Sequence, residues 1–452
     1  MNKHYHLIGI GGIGVGTLAS LFLDDGFDVS GSDIKENDMT MSLREKGANI
    51  SIGHKAENIL SPDCVIYSSA ISKDNSEIAE AQRKNIPVVK RGQALAELVR
   101  TKEASVIAGA HGKTTTSALV AHILKEGGLD PAAAIGGVIE NGGYSGRSGK
   151  GKHFVVEADE SDGSFLYFFP KYAIITNADL EHVDFYENWD NIIKAYAKFI
   201  AQIDLNGHLF YCGDDSVLRS LACEFKGQKT SYGFDKDNDI FADKVMCSGF
   251  QSKFCCILGG ERKGDIQLNI PGRHNICNAL AAIGLALKLG VCFELIQKSL
   301  ESFKGVQRRF SHHGDFNGIS VVDDYAHHPK EILSTIEAAK TFDKKRIFVI
   351  FQPHRYSRTK YFKDDFVDAL KECDQLVITD IYSASEKEQK QITPNMICED
   401  INRAKAGLAV YKEYNEVVPH ILENALSGDL VLFLGAGDIN RLADELANQL
   451  RK

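Results

Sequence analysis

Apolar positions in the first hundred residues fall alternately into short continuous runs and helix-spaced stretches. Tyr5–Ile10 reads as an extended run, Ile13–Leu23 has helical spacing, and Phe27–Ser32 is a second strand. Cys64–Tyr67 and Pro87–Val89 add strands, with helical stretches between them. This alternation predicts a parallel sheet covered by helices. A second block opens on the strand Ala104–Ala108, passes through a loop and enters a helix from Thr114 to about Glu126. Strands at His153–Val156 and Tyr172–Thr176 each end in polar residues, and a long helix covers Trp189–Ile203. Three runs within Ile240–Cys247, Lys253–Leu258 and Asp265–Asn269 read as an antiparallel insertion, and helices Asn275–Leu289 and Leu295–Phe303 close the block. A third block carries strands at Ile319–Val322, Arg346–Phe351, around Val377 and at Val431–Leu434. After the last of these, Asp438 is placed to cap the next helix. The pattern predicts an α/β chain of three blocks, divided at residues 1–100, 101–308 and 309–452, the last again a nucleotide-binding-like α/β unit.

Composition narrows the classes. The 452 residues hold 52 Lys and Arg against 61 Asp and Glu, a formal charge of −9. That acidic balance, without a basic block, argues against nucleic acid. Ten scattered cysteines form no Cys-x-x-Cys pair, which suits buried thiols in a reducing cytosol better than disulfides or zinc. The start, MNKHYHLIGIGGIG, reaches glycine too soon for a signal-peptide core. No run approaches the roughly 18 apolar residues a membrane span needs. A cytoplasmic protein with no membrane insertion is expected.

Candidate chemistry lies where strands end. Gly109-Ala110-His111-Gly112-Lys113-Thr114-Thr115-Thr116 links a strand to a helix, so glycines can wrap a phosphate while the helix N-terminus offers amide donors. Lys113 would meet the β- and γ-phosphates and the Thr114 hydroxyl would ligate Mg²⁺, as in a P-loop ATPase. The usual glycine, separated from the Gly-Lys by four residues, is Ile107 here. Gly9-Ile10-Gly11-Gly12-Ile13-Gly14 fits G-x-G-x-x-G, with Asp33 ending the second strand. This suits either an NAD-dependent dehydrogenase or a UDP-linked ligand. Glu157, Asp159, Glu160 and Asp162 crowd the end of another strand. They suggest Mg²⁺ ligation, although such runs are also common as solvated turns. His182 lies at the carboxyl end of a further strand, where ligands of parallel sheets bind.

Taken together, Gly9–Gly14, Gly109–Thr116, EADESDGSFL (157–166), GRHNICNA (272–279), Arg308-Arg309-Phe310, DDYAHHP (323–329) and QPHRYSRT (352–359) make the chain resemble the Mur ligases, ATP-dependent amino-acid ligases of peptidoglycan precursor synthesis. The resemblance covers essentially the whole chain. It implies three α/β domains: a Rossmann-like, UDP-sugar-binding first domain, a central P-loop ATPase domain with a mainly parallel sheet, and a Rossmann-like C-terminal domain that closes on ATP and amino acid. Within the family it points to ligation of L-alanine to UDP-N-acetylmuramate through an acyl phosphate, with a murein tripeptide-recycling ligase as the alternative. Carried over, Gly11, Gly12, Gly14, Asp33 and Ser69 would bind the UDP-sugar. Gly109, His111, Gly112, Lys113, Thr114, Thr115, Asn275, Asn278, Arg309 and Asp324 would bind ATP. Thr114, Glu157 and His182 would hold magnesium at two sites, and Tyr325 belongs to the third-domain motif. His327, Arg355 and Arg358 would bind the amino acid, with His327 the candidate base and Lys113, Glu157, His182 and His327 the catalytic set. Asn275 also reads as a helix N-cap. The chain departs from the family at Ala110, at Glu181-His182 and around Gly143-Tyr144-Ser145. Other members carbamylate a lysine after this histidine; Lys194 and Lys198 are nearby, and neither is assigned.

Overall fold

The computed structural model describes residues 2–384 and 386–451, with residues 183 and 184 described by backbone alone. The chain divides into two compact units, Met1–Asp243 with Cys255–Ile266 and Cys277–Phe303, and Lys244–Phe254 with Gln267–Ile276 and Lys304–Lys452. Three sheets organise it, and most of their pairings are parallel, as the alternation of runs predicts.

The N-terminal sheet runs Asn49–Ile52, Asp28–Asp33, His4–Ile8, Cys64–Tyr67, Val88–Lys90, all parallel. Leu7, Ile8, Val65 and Ile66 are wholly buried, which is why they read as continuous apolar stretches. Strand order reverses at His4–Ile8, so the glycine loop that follows it opens at the switch point where ligands bind.

The central sheet has ten strands in the order Glu261–Leu268, Gln251–Leu258, Ile240–Ser248, Gln228–Gly233, His208–Cys212, Tyr172–Ile175, Glu103–Ala108, His153–Glu157, Ala132–Ala134, Gly146–Arg147. The three runs read as an insertion instead extend this sheet, because Ile240–Ser248 pairs in parallel with Gln228–Gly233. The Ala132–Ala134 strand escapes a sequence reading, since alanine carries no strand preference. Its neighbour Gly146–Arg147 is only two residues long.

The second unit holds a six-stranded sheet in the order Ser311–Phe316, Ile319–Asp324, Asp429–Leu434, Arg346–Phe351, Gln375–Ile378, Ala409–Tyr411. Only its first pair is antiparallel. Val322, Val349 and Leu432 face one apolar core, and Val321, Ile350 and Val431 face the other. Asp438 does not cap the last helix. Its carboxylate accepts from Gln352 at 2.9 Å, and Ile439 takes the N-cap position of Asn440–Leu450. Among the described residues no helix is long and apolar enough to cross a membrane.

Candidate active site

The phosphate loop follows strand Glu103–Ala108 and enters helix Lys113–Glu126 at Gly112. Both loop glycines are needed. Gly109 has φ +130° and a Cβ there would lie 2.1 Å from Thr176 Oγ1; Gly112 has φ +79° and a Cβ would lie 2.6 Å from Asn278 Oδ1. The loop is fastened from the next strand end. The Asn177 side chain accepts from the His111 amide at 2.9 Å and donates to its carbonyl at 3.0 Å, and Thr176 donates to the same carbonyl at 2.6 Å. His111 Nε2 lies 2.9 Å from Asp179.

Lys113 folds back on this loop. Its ammonium donates to Gly109 O at 2.6 Å, Ala110 O at 2.9 Å and Glu160 Oε1 at 2.9 Å. Burial alone would depress its pKa, but the Glu160 and Glu157 charges outweigh that and raise it. Thr114, on the first turn with buried Thr115, donates to Glu157 Oε1 at 2.9 Å. The other Glu157 oxygen accepts from the Gly136 amide at 2.7 Å. A hydroxyl and a fixed carboxylate side by side fit a hard divalent cation.

The acidic run divides its work. Glu157 belongs to Thr114, while Glu160 belongs to Lys113 and to His182, whose Nε2 is 3.4 Å from both Glu160 and Glu181. Burial would lower the His182 pKa, yet the Glu160 bond and the two carboxylate charges raise it. Asp159 caps the Ser161 amide and lies 3.4 Å from Arg91, and Asp162 accepts from Ser164 N. Lys194 and Lys198 are exposed, and the side chain buried between them is Tyr196.

At the N-terminal loop the Gly11 amide donates to Asp33 Oδ2 at 2.8 Å, and Asn37 donates to Gly11 O at 3.0 Å. Gly12 is exposed, a Cβ on Gly14 would touch Arg91, and Ser69 is exposed beyond strand Cys64–Tyr67. Asn278 packs on Gly112. Asn275 is not an N-cap; it is the third residue of helix Arg273–Lys288 and donates to Pro271 O at 2.7 Å.

In the second unit the Arg308 and Arg309 guanidiniums both lie over the Tyr325 ring, at 4.9 and 5.0 Å. Arg308 also donates to Gly435 O and Gly437 O at 2.9 Å. His327 Nδ1 is 3.0 Å from Tyr325 O and 3.2 Å from Glu331. Its ring meets that of His354 at 5.6 Å, and His354 stacks on Tyr382. Arg358, 8% exposed, reaches His354 Nδ1 at 3.1 Å, and the Arg355 amide donates to Tyr382 O at 2.8 Å. His354 sits inside QPHRYSRT, but spacing alone does not reveal its contacts with His327 and Arg358.

Asp324 accepts the Phe310 and Ala326 amides at 2.7 Å each. Burial pushes its pKa up to about 6 against the usual 3.8, despite the Arg309 charge and these amides. The folded state therefore holds a proton the unfolded chain has released between about pH 4 and 6. Stability falls as pH rises through that window, by an amount of the order of 3 kcal/mol at about 1.36 kcal/mol per unit. Asp324→Asn is expected to flatten this loss in urea titrations of stability at stepped pH. An unchanged slope between pH 4 and 7 would refute the assignment.

Residues 4–103 match the Mur ligase family catalytic domain, residues 107–286 the Mur ligase middle domain, and residues 308–437 the Mur ligase glutamate ligase domain. The chain belongs to the Mur ligase family. It is 43% identical over 449 residues to the UDP-N-acetylmuramate–L-alanine ligase of Aquifex aeolicus (strain VF5), covering 99% of this chain and 98% of that protein. It is 42% identical to the enzyme of the same name from Geotalea daltonii, covering 100% and 98%. Its structure resembles that of the UDP-N-acetylmuramate-alanine ligase of Thermotoga maritima, with TM-score 0.85 and 32% identity over 100% and 99% of the two chains. The murein peptide ligase of Psychrobacter arcticus shares the fold, at TM-score 0.75 and 24% identity.

Proposed function

We propose that the chain joins L-alanine to the lactyl carboxylate of UDP-N-acetylmuramate with hydrolysis of ATP to ADP and phosphate. The observation that carries this reading is the Lys113–Thr114–Glu157 arrangement on a glycine loop, in a chain over 40% identical along its length to ligases so named. A carboxylate is a poor electrophile, so amide formation in water needs activation. The lactyl carboxylate oxygen attacks the γ-phosphorus and ADP leaves. The alanine nitrogen then attacks the acyl carbon, loses a proton, and phosphate departs. Lys113 offsets charge on the transferring group, and the amides of Gly112 and the helix start cradle the phosphates. Thr114 and Glu157 would hold one Mg²⁺, which supplies charge neutralisation when bound. His182, beside Glu160 and Glu181, is assigned to the second.

Gly11, Gly12, Gly14, Asp33 and Ser69 are assigned to the UDP-sugar. Asn275, Asn278, Arg309 and Asp324 are assigned to the nucleotide, with domain limits at 100 and 308. In the second unit Arg355 and Arg358 are assigned to the alanine carboxylate, a task suited to guanidinium, and His327 to proton removal. Its imidazole is held by Tyr325 O and Glu331 rather than loose. An NAD-dependent dehydrogenase leaves the second glycine loop unexplained.

Phosphate release from ATP with UDP-N-acetylmuramate is expected to depend on L-alanine and to fall off with glycine, L-serine and a murein tripeptide. Stimulation by tripeptide but not by L-alanine would replace this reading with peptide recycling.

A further inference from the structure

Cys212 and Cys277 are 65 residues apart in the chain, yet their sulfurs lie 3.8 Å from one another. Both belong to the first compact unit. Cys212 ends strand His208–Cys212 and is 8% exposed, and Cys277 is half-buried near the start of helix Arg273–Lys288. The contact makes the two sulfurs unequal. A hydrogen bond from the Cys277 thiol draws the Cys212 pKa below its ordinary value, and the amides of Asp214 and Asp215 help it outweigh burial. The same bond, with burial, holds the Cys277 pKa up. The first proton therefore leaves Cys212, and its thiolate keeps a thiol beside it. That is the arrangement of an attacking and a resolving cysteine.

Closure of this pair would reach the phosphate loop. Cys277 immediately precedes Asn278, which packs on Gly112. A disulfide holds its sulfurs at about 2.05 Å, so closure draws the Cys277 turn toward the strand end. The strand end is fastened, because the Gly213 amide donates to Tyr232 O at 2.9 Å. Asn278 is then the group that moves. On the reading above, which this inference rests on, Asn278 meets the nucleotide.

We propose that Cys212 and Cys277 form a reversible disulfide that weakens ATP binding, with a hydroperoxide as the oxidant. The Cys212 thiolate attacks the outer peroxide oxygen and the O–O bond breaks. The departing alkoxide takes up the proton that Cys212 released. The Cys277 sulfur then attacks the Cys212 sulfenic sulfur, and hydroxide leaves with the Cys277 proton as water. One hydroperoxide is reduced to one alcohol and one water as two thiols become one disulfide. Thiol–disulfide exchange restores the pair. Reciprocity requires bound nucleotide to protect the dithiol by the same factor by which the disulfide weakens nucleotide binding.

The full chain, treated with hydrogen peroxide and then alkylated, is expected to yield a peptide pair joined through Cys212 and Cys277. Kd for a non-hydrolysable ATP analogue should rise about tenfold on oxidation and recover with dithiothreitol. In glutathione redox buffers, saturating analogue should shift the pair about tenfold toward dithiol. Cys277→Ala and Cys212→Ser should each keep the reduced Kd and lose its response to peroxide. Sulfinic acid at Cys212 with Cys277 left free, or a disulfide with unchanged Kd, overturns the proposal. So does a peroxide response that persists in either variant, because it would then come from other thiols such as the exposed Cys223 and Cys292. Reduced chain that binds the analogue but shows no L-alanine-dependent phosphate release would instead strike the ligase reading, since the redox measurements need no turnover.

Discussion

Lys113→Met is expected to lower kcat for L-alanine-dependent phosphate release by about 10³-fold, the scale of removing one preorganised charge from a transition state. The ammonium already sits at the loop, bound to Gly109 O, Ala110 O and Glu160. An arriving triphosphate therefore needs only to outcompete two carbonyls and one carboxylate. Methionine preserves the stem but offers no donor. The same change has a separable effect on stability, since it leaves the Glu160 carboxylate buried without its ammonium. Breaking a buried pair from one side costs about 3–5 kcal/mol. The double variant Lys113→Met/Glu160→Gln removes that charge, so its melting temperature should recover while its kcat does not. Rapid-quench phosphate release and calorimetry on the two variants separate these effects. A single variant keeping more than about a tenth of wild-type kcat would take Lys113 out of phosphate handling.

The phosphate loop is legible in sequence because its parts are contiguous. A strand, two glycines, a lysine and a threonine lie within a dozen positions, and the two glycine φ values explain why no other residue serves there. The residues that fasten the loop are not contiguous with it. Asn177 and Asp179 reach it because Tyr172–Ile175 pairs with Glu103–Ala108, and only strand order in the folded sheet shows that. The acidic run illustrates the same limit. Four carboxylates in six residues announce charge, but which one meets Thr114 and which meets Lys113 depends on the turn after Glu157. The fold itself reads well where strands are buried on both faces. It reads poorly at Ala132–Ala134, where alanine replaces branched residues, and at Asn49–Ile52 and Ala409–Tyr411, edge strands of only four and three residues.

Glu157→Gln is expected to raise the Mg²⁺ concentration for half-maximal activity by about 10–100-fold and to lower kcat with it. The reason lies in how the carboxylate is held. One oxygen is committed to the Gly136 amide and the other faces the Thr114 hydroxyl. Glutamine has one acceptor oxygen, and the amide of Gly136 claims it, because turning the side chain over would set an NH₂ against that N–H. The NH₂ then points at Thr114, placing a donor where a cation needs an anionic oxygen. The two residues are nearly equal in shape, so the fold should survive, and Gly136 leaves no slack for an alternative placement. A Cβ there would already lie 2.6 Å from Glu157 Oε1. Magnesium titrations of turnover, with manganese as a second ion, distinguish loss of a ligand from loss of packing. A lost ligand shifts both ion titrations and leaves the melting curve alone, whereas disturbed packing lowers the melting temperature and leaves the half-maximal concentrations in place. The second pattern would remove Glu157 from the metal set and leave Thr114 without an anionic partner on its turn.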